Sequence, residues 1–314
     1  MLTNHPSTSA PGAPPYWVDL VDPSADERAS VELAFGLRLP TREDLAEVEL
    51  SSRVSEEAGS LFMNMPAVSH LAGLDEPSSP VGFVLNPRVL VTMRYAELRS
   101  FTTVAKRFES TGAPVNSVDT FTALIEAMID VTADLLEGIA GELDGVSRTV
   151  FSTLGTQVMA ARSNADLRQY LTLVGKAGAQ LSRLRDSLLG LHRIVPFVTH
   201  VRRDWIPDAA RERFETSQAD VVSLNDYQAR LSENVQFLLD AVLGFISTKQ
   251  NDMFQMLTVI SIIGIPPTLV ASIYGMNFKN MPELNWAWGY QWGLTLIVLS
   301  AVLPVLWFKW RKWI

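Results

Sequence analysis

The sequence contains no cysteine, and this absence removes several kinds of chemistry at once. Disulfide bridges, thiolate metal sites and cysteine nucleophiles are all excluded. Histidine is also scarce, because only His5, His70, His192 and His200 are present, without the spacing of metal ligands. We find neither a glycine-rich phosphate loop nor a histidine-centred triad. The chain is therefore not expected to be an enzyme.

Basic residues are too few for a nucleic-acid-binding protein. Lys and Arg number 26 against 34 Asp and Glu, which gives a net charge of −8. Because nucleic-acid phosphates need Lys and Arg, we expect no nucleic-acid partner. The acidic excess suits either attraction of cations or simple solubility. Residues 1–15, rich in Pro and Ser, have no apolar signal-peptide core and are expected to form a disordered tail.

Two long runs without charge lie near the C-terminus. Residues 253–273 form a run of 21 uncharged residues, and residues 286–308 a run of 23. As a helix, the first would span roughly 31 Å, about one hydrocarbon core. Either run alone could be a buried core helix, but two adjacent runs favour two transmembrane helices. Tryptophans at both ends of the second run are typical of the aromatic belts at membrane interfaces.

The basic residues predict the orientation of these spans. Lys309, Arg311 and Lys312 follow the second run and Lys249 precedes the first, whereas only Lys279 lies between them. The positive-inside rule then places both termini in the cytoplasm and residues 274–285 outside. The long segment before residue 250 is therefore expected to be cytoplasmic.

The first run carries a polar stripe. Steps of three and four residues bring seven residues, five of them polar, onto one helical face: Asn251, Phe254, Thr258, Ser261, Ile265, Thr268 and Ser272. Polar side chains at membrane depth meet water or other helices. The stripe therefore indicates either helix packing through small polar residues or a water-filled pore. Both interpretations require several subunits, because two spans per chain cannot enclose a pore.

The part before the spans is predicted to combine an α/β domain with long helices. Strands are expected at 16–20, 60–68, 81–85 and 88–95, and shorter helices at 24–36, 41–49 and 98–110. Long helices are expected at 117–152, at 164–193 and from 208 into the first span. The predicted divisions are a tail (1–15), an α/β domain (16–115), helices and stalk (116–250), a pore-lining span (251–274), an outer loop (275–285), a second span (286–308) and a basic tail (309–314).

The connection between the spans carries the most specific motif. Tyr274-Gly275-Met276-Asn277-Phe278, followed by Met281-Pro282-Glu283-Leu284, resembles the Gly-Met-Asn signature and outer loop of the CorA magnesium transporter family. The residues PPTLVAS before the motif and the basic tail after the second span agree with this. WVDLVDPSADER near the N-terminus also resembles the start of the soluble domain in proteobacterial members.

The resemblance implies a homo-pentameric funnel with the first span around the pore. It assigns Gly275, Met276 and Asn277 to a selectivity ring, where the Asn277 oxygen contacts a hydrated Mg²⁺, although Asn277 also suits a helix C-cap. Glu283 would attract cations at the entrance, but Lys279 stands where the family often has an acid. The resemblance also implies that the residues of the polar stripe line the pore. It adds Leu257, which would form an apolar constriction with Phe254 and Ile265.

The function implied is influx of Mg²⁺, with Co²⁺ and Ni²⁺ as further candidate ions, through the inner membrane of a bacterium. The membrane potential would drive it, and cytoplasmic Mg²⁺ bound by acids such as Glu126, Asp130 and Asp134 would close it. The expected partners are further copies of the chain, lipid and divalent cations. Two alternatives stay open: a zinc or other transition-metal transporter of the same superfamily, and a membrane-anchored sensor or scaffold without transport.

Overall fold

The computed structural model describes residues 2–5, 16–46, 53–68, 78–111, 116–151, 164–201, 204–277, 279 and 281–311. The chain forms two compact units, Met1–Asp240 and Ala241–Ile314. Two helices are long and apolar enough to cross a membrane, Asp208–Tyr274 and Gly289–Trp310. The second unit contains the last part of the first helix and the whole of the second.

The first unit is built on a six-stranded mixed sheet. Its strands are β1 (Leu2–His5), β2 (Trp17–Val21), β3 (Val54–Glu57), β4 (Ser60–Ala67), β5 (Ser79–Leu85) and β6 (Leu90–Arg94). Their order across the sheet is β1-β2-β6-β5-β4-β3, and only the β2–β6 pair is parallel among these strands. Alternation of side chains sends Trp17, Leu61 and Phe83 to one face and Val18, Val84 and Val91 to the other.

Helices cover both faces of this sheet. The described helices are α1 (Ala25–Phe35), α2 (Arg42–Ala46), α3 (Arg99–Thr111), α4 (Ser117–Phe151), α5 (Asn164–His200), α6 (Asp208–Tyr274) and α7 (Gly289–Trp310). On one face, α1 and α2 contribute Val31 and Leu45 to the smaller core. On the other, α3, α4, α5 and the start of α6 form the main core, in which the Phe121 and Phe214 rings lie 5.9 Å apart. The predicted α/β domain with long helices is thus observed.

A buried ion pair fixes the two parallel strands to each other. Arg94 donates to Oδ2 of Asp19 from Nε at 3.1 Å and from Nη2 at 2.9 Å, and its Nε also lies 3.3 Å from Oδ1. Both side chains are largely buried. Thr92 donates to Asp19 at 2.8 Å and accepts from the Trp17 indole at 2.9 Å. Because the charged and polar groups of Asp19, Arg94, Thr92 and Trp17 bind one another, the free-energy cost of burying them is offset.

Asp19→Ala is expected to lower the free energy of unfolding of the first unit by about 3–5 kcal/mol. The cause is the Arg94 guanidinium, which would stay buried without its counter-ion. Thermal unfolding of the full-length protein in detergent measures the effect. Asp226→Ala, at an exposed position on α6, is the control and should change little. Equal shifts for the two variants would contradict this role of the ion pair.

Three differences from the sequence predictions have physical causes. The prediction of a disordered tail is wrong for Leu2–His5, because these residues pair with β2 and form the edge strand β1. Strand β3 escaped prediction because its polar residues show no clear alternation of apolar side chains. Helix α5 continues through Pro196 to His200, since Val195 and Val198 are buried in the core and packing outweighs one lost hydrogen bond. The end of the predicted helix 41–49 lies outside the described residues.

The boundaries around the second run also differ slightly from prediction. Helix α7 begins at Gly289 rather than at 286, because residues 282–285 form a 3₁₀ turn and Trp288 is the N-cap of the helix. It extends to Trp310, so the first residue of the predicted basic tail, Lys309, is helical. Helix α6 is continuous over 67 residues and contributes residues to both units.

Candidate functional site

In the second unit, α6 and α7 present complementary half-buried faces. On α6 the less exposed residues are Gln255, Val259, Ile263, Pro266, Pro267, Val270 and Tyr274, at helical spacing. On α7 they are Gly293, Leu296, Ile297, Ser300, Ala301 and Pro304, with Phe308 fully buried. A Cβ added at Gly293 would lie 4.0 Å from the Tyr274 ring, which places this part of α7 next to the last turn of α6. Small residues at such a contact allow two helices to approach closely.

The predicted polar stripe lies on another face of α6. All its members are exposed in the single chain: Asn251, Phe254, Thr258, Ser261, Ile265, Thr268 and Ser272; Leu257, beside the stripe, is exposed as well. At 100° per residue this face is turned by roughly 150° from the face that is half-buried. A groove lined by Ser261, Gly264, Thr268 and Ser272 follows the stripe. Packing of α6 on α7 within the chain therefore does not explain the polar residues.

Three hydroxyls of the stripe share one hydrogen-bond pattern. Thr258, Ser261 and Thr268 each donate to the carbonyl four residues earlier, at 2.7, 2.8 and 2.8 Å. The hydroxyl hydrogen is therefore used within the helix, and the oxygen lone pairs stay available as acceptors. Such oxygens can accept hydrogen bonds from the water shell of a cation. The stripe is thus suited to a hydrated positive ion.

Two adjacent prolines interrupt the hydrogen bonding of α6 without ending the helix. Pro266 and Pro267 have no N–H, so the carbonyls of Ile262 and Ile263 lose their usual helical donors. Both prolines belong to the half-buried face. We therefore do not assign the freed carbonyls to the face that carries the stripe.

The Gly-Met-Asn motif directly follows the last turn of α6. The N–H of Gly275 donates to the Ala271 carbonyl at 2.9 Å, and the N–H of Met276 donates to the Ile273 carbonyl at 3.2 Å. These bonds cap the helix without the Asn277 side chain, which is exposed. A Cβ at Gly275 would lie only 3.2 Å from the Ala271 oxygen, so the tight final turn favours glycine. The cap leaves the Asn277 amide available for a ligand.

The loop between α6 and α7, which is predicted to lie outside the cell, carries two charged residues of opposite sign. Lys279 is exposed in a bend, and Glu283 is half-buried in the 3₁₀ turn Pro282–Asn285. The Glu283 carbonyl accepts from the Trp286 N–H at 3.3 Å, and the Trp286 carbonyl accepts from the Gly289 N–H at 3.1 Å. The loop is therefore joined to the start of α7 by backbone hydrogen bonds.

In the first unit, the acidic face of α4 lies beside α6. Arg213 of α6 forms a bidentate salt bridge with Glu126, in which Nε donates to Oε1 at 2.8 Å and Nη2 donates to Oε2 at 2.5 Å. Partial desolvation raises the pKa of Asp130, and repulsion by Glu126, Asp134 and Asp220 raises it further. Within the described part of a single chain, no three acidic or histidine side chains are grouped to hold a metal. Arg213 therefore balances one carboxylate of this acidic face, Asp130 is still repelled by its acidic neighbours, and the described residues form no complete metal site.

An α/β domain, two C-terminal helices long and apolar enough to cross a membrane, and a polar stripe on an exposed helix face are the features expected of an integral membrane transporter. The family model of the CorA-like Mg²⁺ transporter protein matches residues 13–310. The chain belongs to this family. The resemblance of the Gly-Met-Asn motif is thereby confirmed, as is the expectation of a transporter rather than an enzyme.

Curated relatives match over nearly the whole chain. The magnesium transport protein CorA of Pectobacterium atrosepticum is 31% identical over 299 residues, which cover 95% of this chain and 92% of the relative. The Escherichia coli protein of the same name matches with the same identity and coverage. The chain is therefore similar to these transporters in both units.

Solved structures show the same fold. The complete CorA magnesium transporter of Methanocaldococcus jannaschii matches with a TM-score of 0.77 at 17% identity, covering 98% of this chain and 94% of the other. The cytoplasmic domain of ZntB from Vibrio parahaemolyticus matches with a TM-score of 0.52 at 11% identity, covering 76% and 87%. Because both identities are low, these matches concern the fold and do not separate one transported ion from another.

Proposed function

We propose that the chain assembles into a homo-oligomer, a pentamer by family resemblance, that conducts Mg²⁺ into the cell. The observation that carries the proposal is the exposed polar face of α6, which α7 does not cover and which leads to the Gly-Met-Asn motif. Around a shared axis, this face would supply rings of hydroxyl oxygens at Thr258, Ser261, Thr268 and Ser272, interrupted by an apolar ring at Ile265. The 31% identity to magnesium transport proteins favours Mg²⁺ as the ion.

The selectivity ring is proposed at Gly275, Met276 and Asn277. Mg²⁺ gives up its water reluctantly, so a neutral amide oxygen can accept hydrogen bonds from the hydrated ion. Carboxylates at this position would hold the ion more tightly and slow its release. The exposed Asn277 amide, which the helix cap does not use, fits this role.

Other pore positions follow from the stripe. Phe254, Leu257 and Ile265 would form apolar rings that close the pore by excluding water. Asn251 would lie at the inner mouth, and Thr258, Ser261, Thr268 and Ser272 would line the path between. Glu283 would concentrate cations at the outer mouth, where Lys279 partly cancels its charge.

The membrane potential would drive the flux with both termini in the cytoplasm of a bacterial inner membrane. A divalent cation gains about 4.6 kcal/mol for each 100 mV of inside-negative potential. Co²⁺ and Ni²⁺ share the charge of Mg²⁺ and are the next candidate ions. Purified protein in liposomes should take up Mg²⁺ when the interior is made negative, and much less without a potential. Uptake of Zn²⁺ with no Mg²⁺ uptake would favour the zinc alternative, and no flux of any divalent ion would favour the scaffold alternative.

Closure by cytoplasmic Mg²⁺ is proposed to involve the acidic face of α4. The raised pKa of Asp130 reflects desolvation and repulsion that a bound cation would relieve. The further ligands of such a site would come from another subunit, because the described part of one chain holds no complete set.

Asp130→Asn is expected to raise the thermal midpoint at pH 7 and to weaken stabilisation by added Mg²⁺. The folded-state pKa of Asp130 lies above its unfolded value, so protonation stabilises the fold and this stabilisation is lost as the pH rises through the folded pKa. The difference between variant and parent should therefore shrink toward pH 4. Exposed charges contribute under about 1 kcal/mol, so a shift of about 2 °C or less is expected.

Thermal unfolding of the full-length protein in detergent, from pH 4 to 8 with and without Mg²⁺, measures both effects. Asp226→Asn, at an exposed position on α6, is the matched control. Equal stabilisation of the Asp130 variant and the parent by Mg²⁺ would exclude Asp130 from the regulatory site.

A further inference from the structure

The first residue of α7, Gly289, lies directly against the backbone of the outer loop. A Cβ built at Gly289 would be 2.2 Å from the Glu283 carbonyl oxygen and 3.4 Å from its carbonyl carbon. The obstructing atoms are backbone, so no change of rotamer can make room. Any residue other than glycine at this position must displace the loop or the start of the helix.

This carbonyl belongs to Glu283, which is the only acidic residue in the sequence of the outer loop, residues 275–285. Glu283 is half-buried, and its backbone oxygen also accepts the Trp286 N–H at 3.3 Å. The Gly289 N–H in turn binds the Trp286 carbonyl at 3.1 Å. The backbone position of Glu283 therefore depends on two features. One is the 3₁₀ turn, and the other is the close approach of the Glu283 carbonyl to Gly289, which has no Cβ.

We infer that Gly289 is a positioning residue for cation capture, which holds the Glu283 carboxylate at its place in the outer loop. This inference rests on the proposed function of Glu283 at the entrance. A displaced loop would move that carboxylate while leaving the stripe on α6 unaltered. The expected consequence is weaker capture of the ion at low concentration, with little change in the maximal flux.

Gly289→Ala tests the inference, and Gly293→Ala is the matched control. Gly293 lies one turn further along the same helix, where among the described residues a Cβ would meet just the Tyr274 ring, at the ordinary contact distance of 4.0 Å. In liposomes, Gly289→Ala should raise the half-saturating Mg²⁺ concentration about three- to ten-fold, with a maximal rate within about two-fold of the parent. Gly293→Ala should match the parent in both. A Gly289→Ala variant that only lowers the maximal rate would overturn the inference.

The double variant shows whether Gly289 acts through Glu283. Glu283→Gln alone should also raise the half-saturating concentration, and adding Gly289→Ala should then have little further effect. Additive effects would mean that Gly289 acts independently of the carboxylate. If Gly289→Ala does not assemble, the Glu283→Gln variant still tests the inference. An unaltered half-saturating Mg²⁺ concentration in Glu283→Gln would overturn it.

A measurement without transport separates this inference from the proposed function. Amide hydrogen exchange of the detergent-solubilised protein should be faster at Trp286 and Gly289 in the Gly289→Ala variant, since their hydrogen bonds depend on the loop position. The Gly293→Ala variant should exchange like the parent at these amides. Unchanged exchange in Gly289→Ala overturns the positioning role, whereas absence of Mg²⁺ flux in the parent overturns the proposed function instead.

Discussion

Asn277→Ala is expected to reduce Mg²⁺ uptake at least about ten-fold at every Mg²⁺ concentration tested. The variant removes one exposed amide per subunit from the proposed ring, and each lost hydrogen bond to the hydrated ion costs about 0.5–1.5 kcal/mol. Three or more such losses in one ring come to at least about 1.5 kcal/mol, which exceeds the 1.4 kcal/mol that corresponds to a ten-fold change. Liposome uptake under an inside-negative potential measures the effect.

Asn285→Ala provides the matched control for this experiment. Asn285 is also exposed and lies in the same outer segment, at the end of the 3₁₀ turn, but outside the Gly-Met-Asn motif. The control should keep uptake within about two-fold of the parent. Because Gly275 and Met276 supply the cap of α6, loss of the Asn277 side chain should not unfold the helix end. Uptake by Asn277→Ala equal to that of the control would refute the proposed role.

Thr268→Leu is expected to abolish most of the uptake, whereas Thr295→Leu should change it by less than about two-fold. Both threonines are exposed and both donate to the carbonyl four residues earlier at 2.8 Å, so the intrinsic effect of the substitution on either helix should be similar. Thr268 belongs to the stripe on α6, where one leucine per subunit would narrow a shared pore and remove acceptor oxygens. Thr295 lies on α7, outside the stripe.

The comparison of the two variants separates conduction from stability. Both proteins should assemble equally, which size-exclusion chromatography in detergent can verify. A loss of uptake in both would indicate a general sensitivity of the spans to leucine. Normal uptake by a fully assembled Thr268→Leu protein would contradict a pore along the stripe.

Features with a strong periodic or compositional signal could be predicted from the sequence. The two uncharged runs correspond to the apolar part of α6 and to α7, and the helical spacing of the stripe placed its residues on one face. Most long helices and alternating strands in the first unit were predicted close to their observed bounds, although α5 ends at His200 rather than at 193. These elements depend on local patterns that a sequence displays directly.

The remaining features depend on contacts between distant residues. Strands β1 and β3 gain their partners only in the sheet, where β1 pairs with β2 and β3 with β4. The pairing of Arg213 with Glu126 joins residues 87 positions apart on two helices. The close approach of Glu283 to Gly289 had a weak signal in the sequence, namely a glycine at the start of a span, but its meaning required the loop backbone.

Cysteine labelling along α6 tests most directly whether the stripe faces water. The natural absence of cysteine means that single cysteines can be introduced without background. A membrane-impermeant, water-soluble thiol reagent should label cysteines at Ser261, Thr268 and Ser272 in the assembled protein, and Mg²⁺ should slow the reaction. Cysteines at Val259, Ile263 and Val270, on the half-buried face, should stay unlabelled. Labelling that is equal on both faces, or absent along the stripe, would contradict a water-filled path lined by α6.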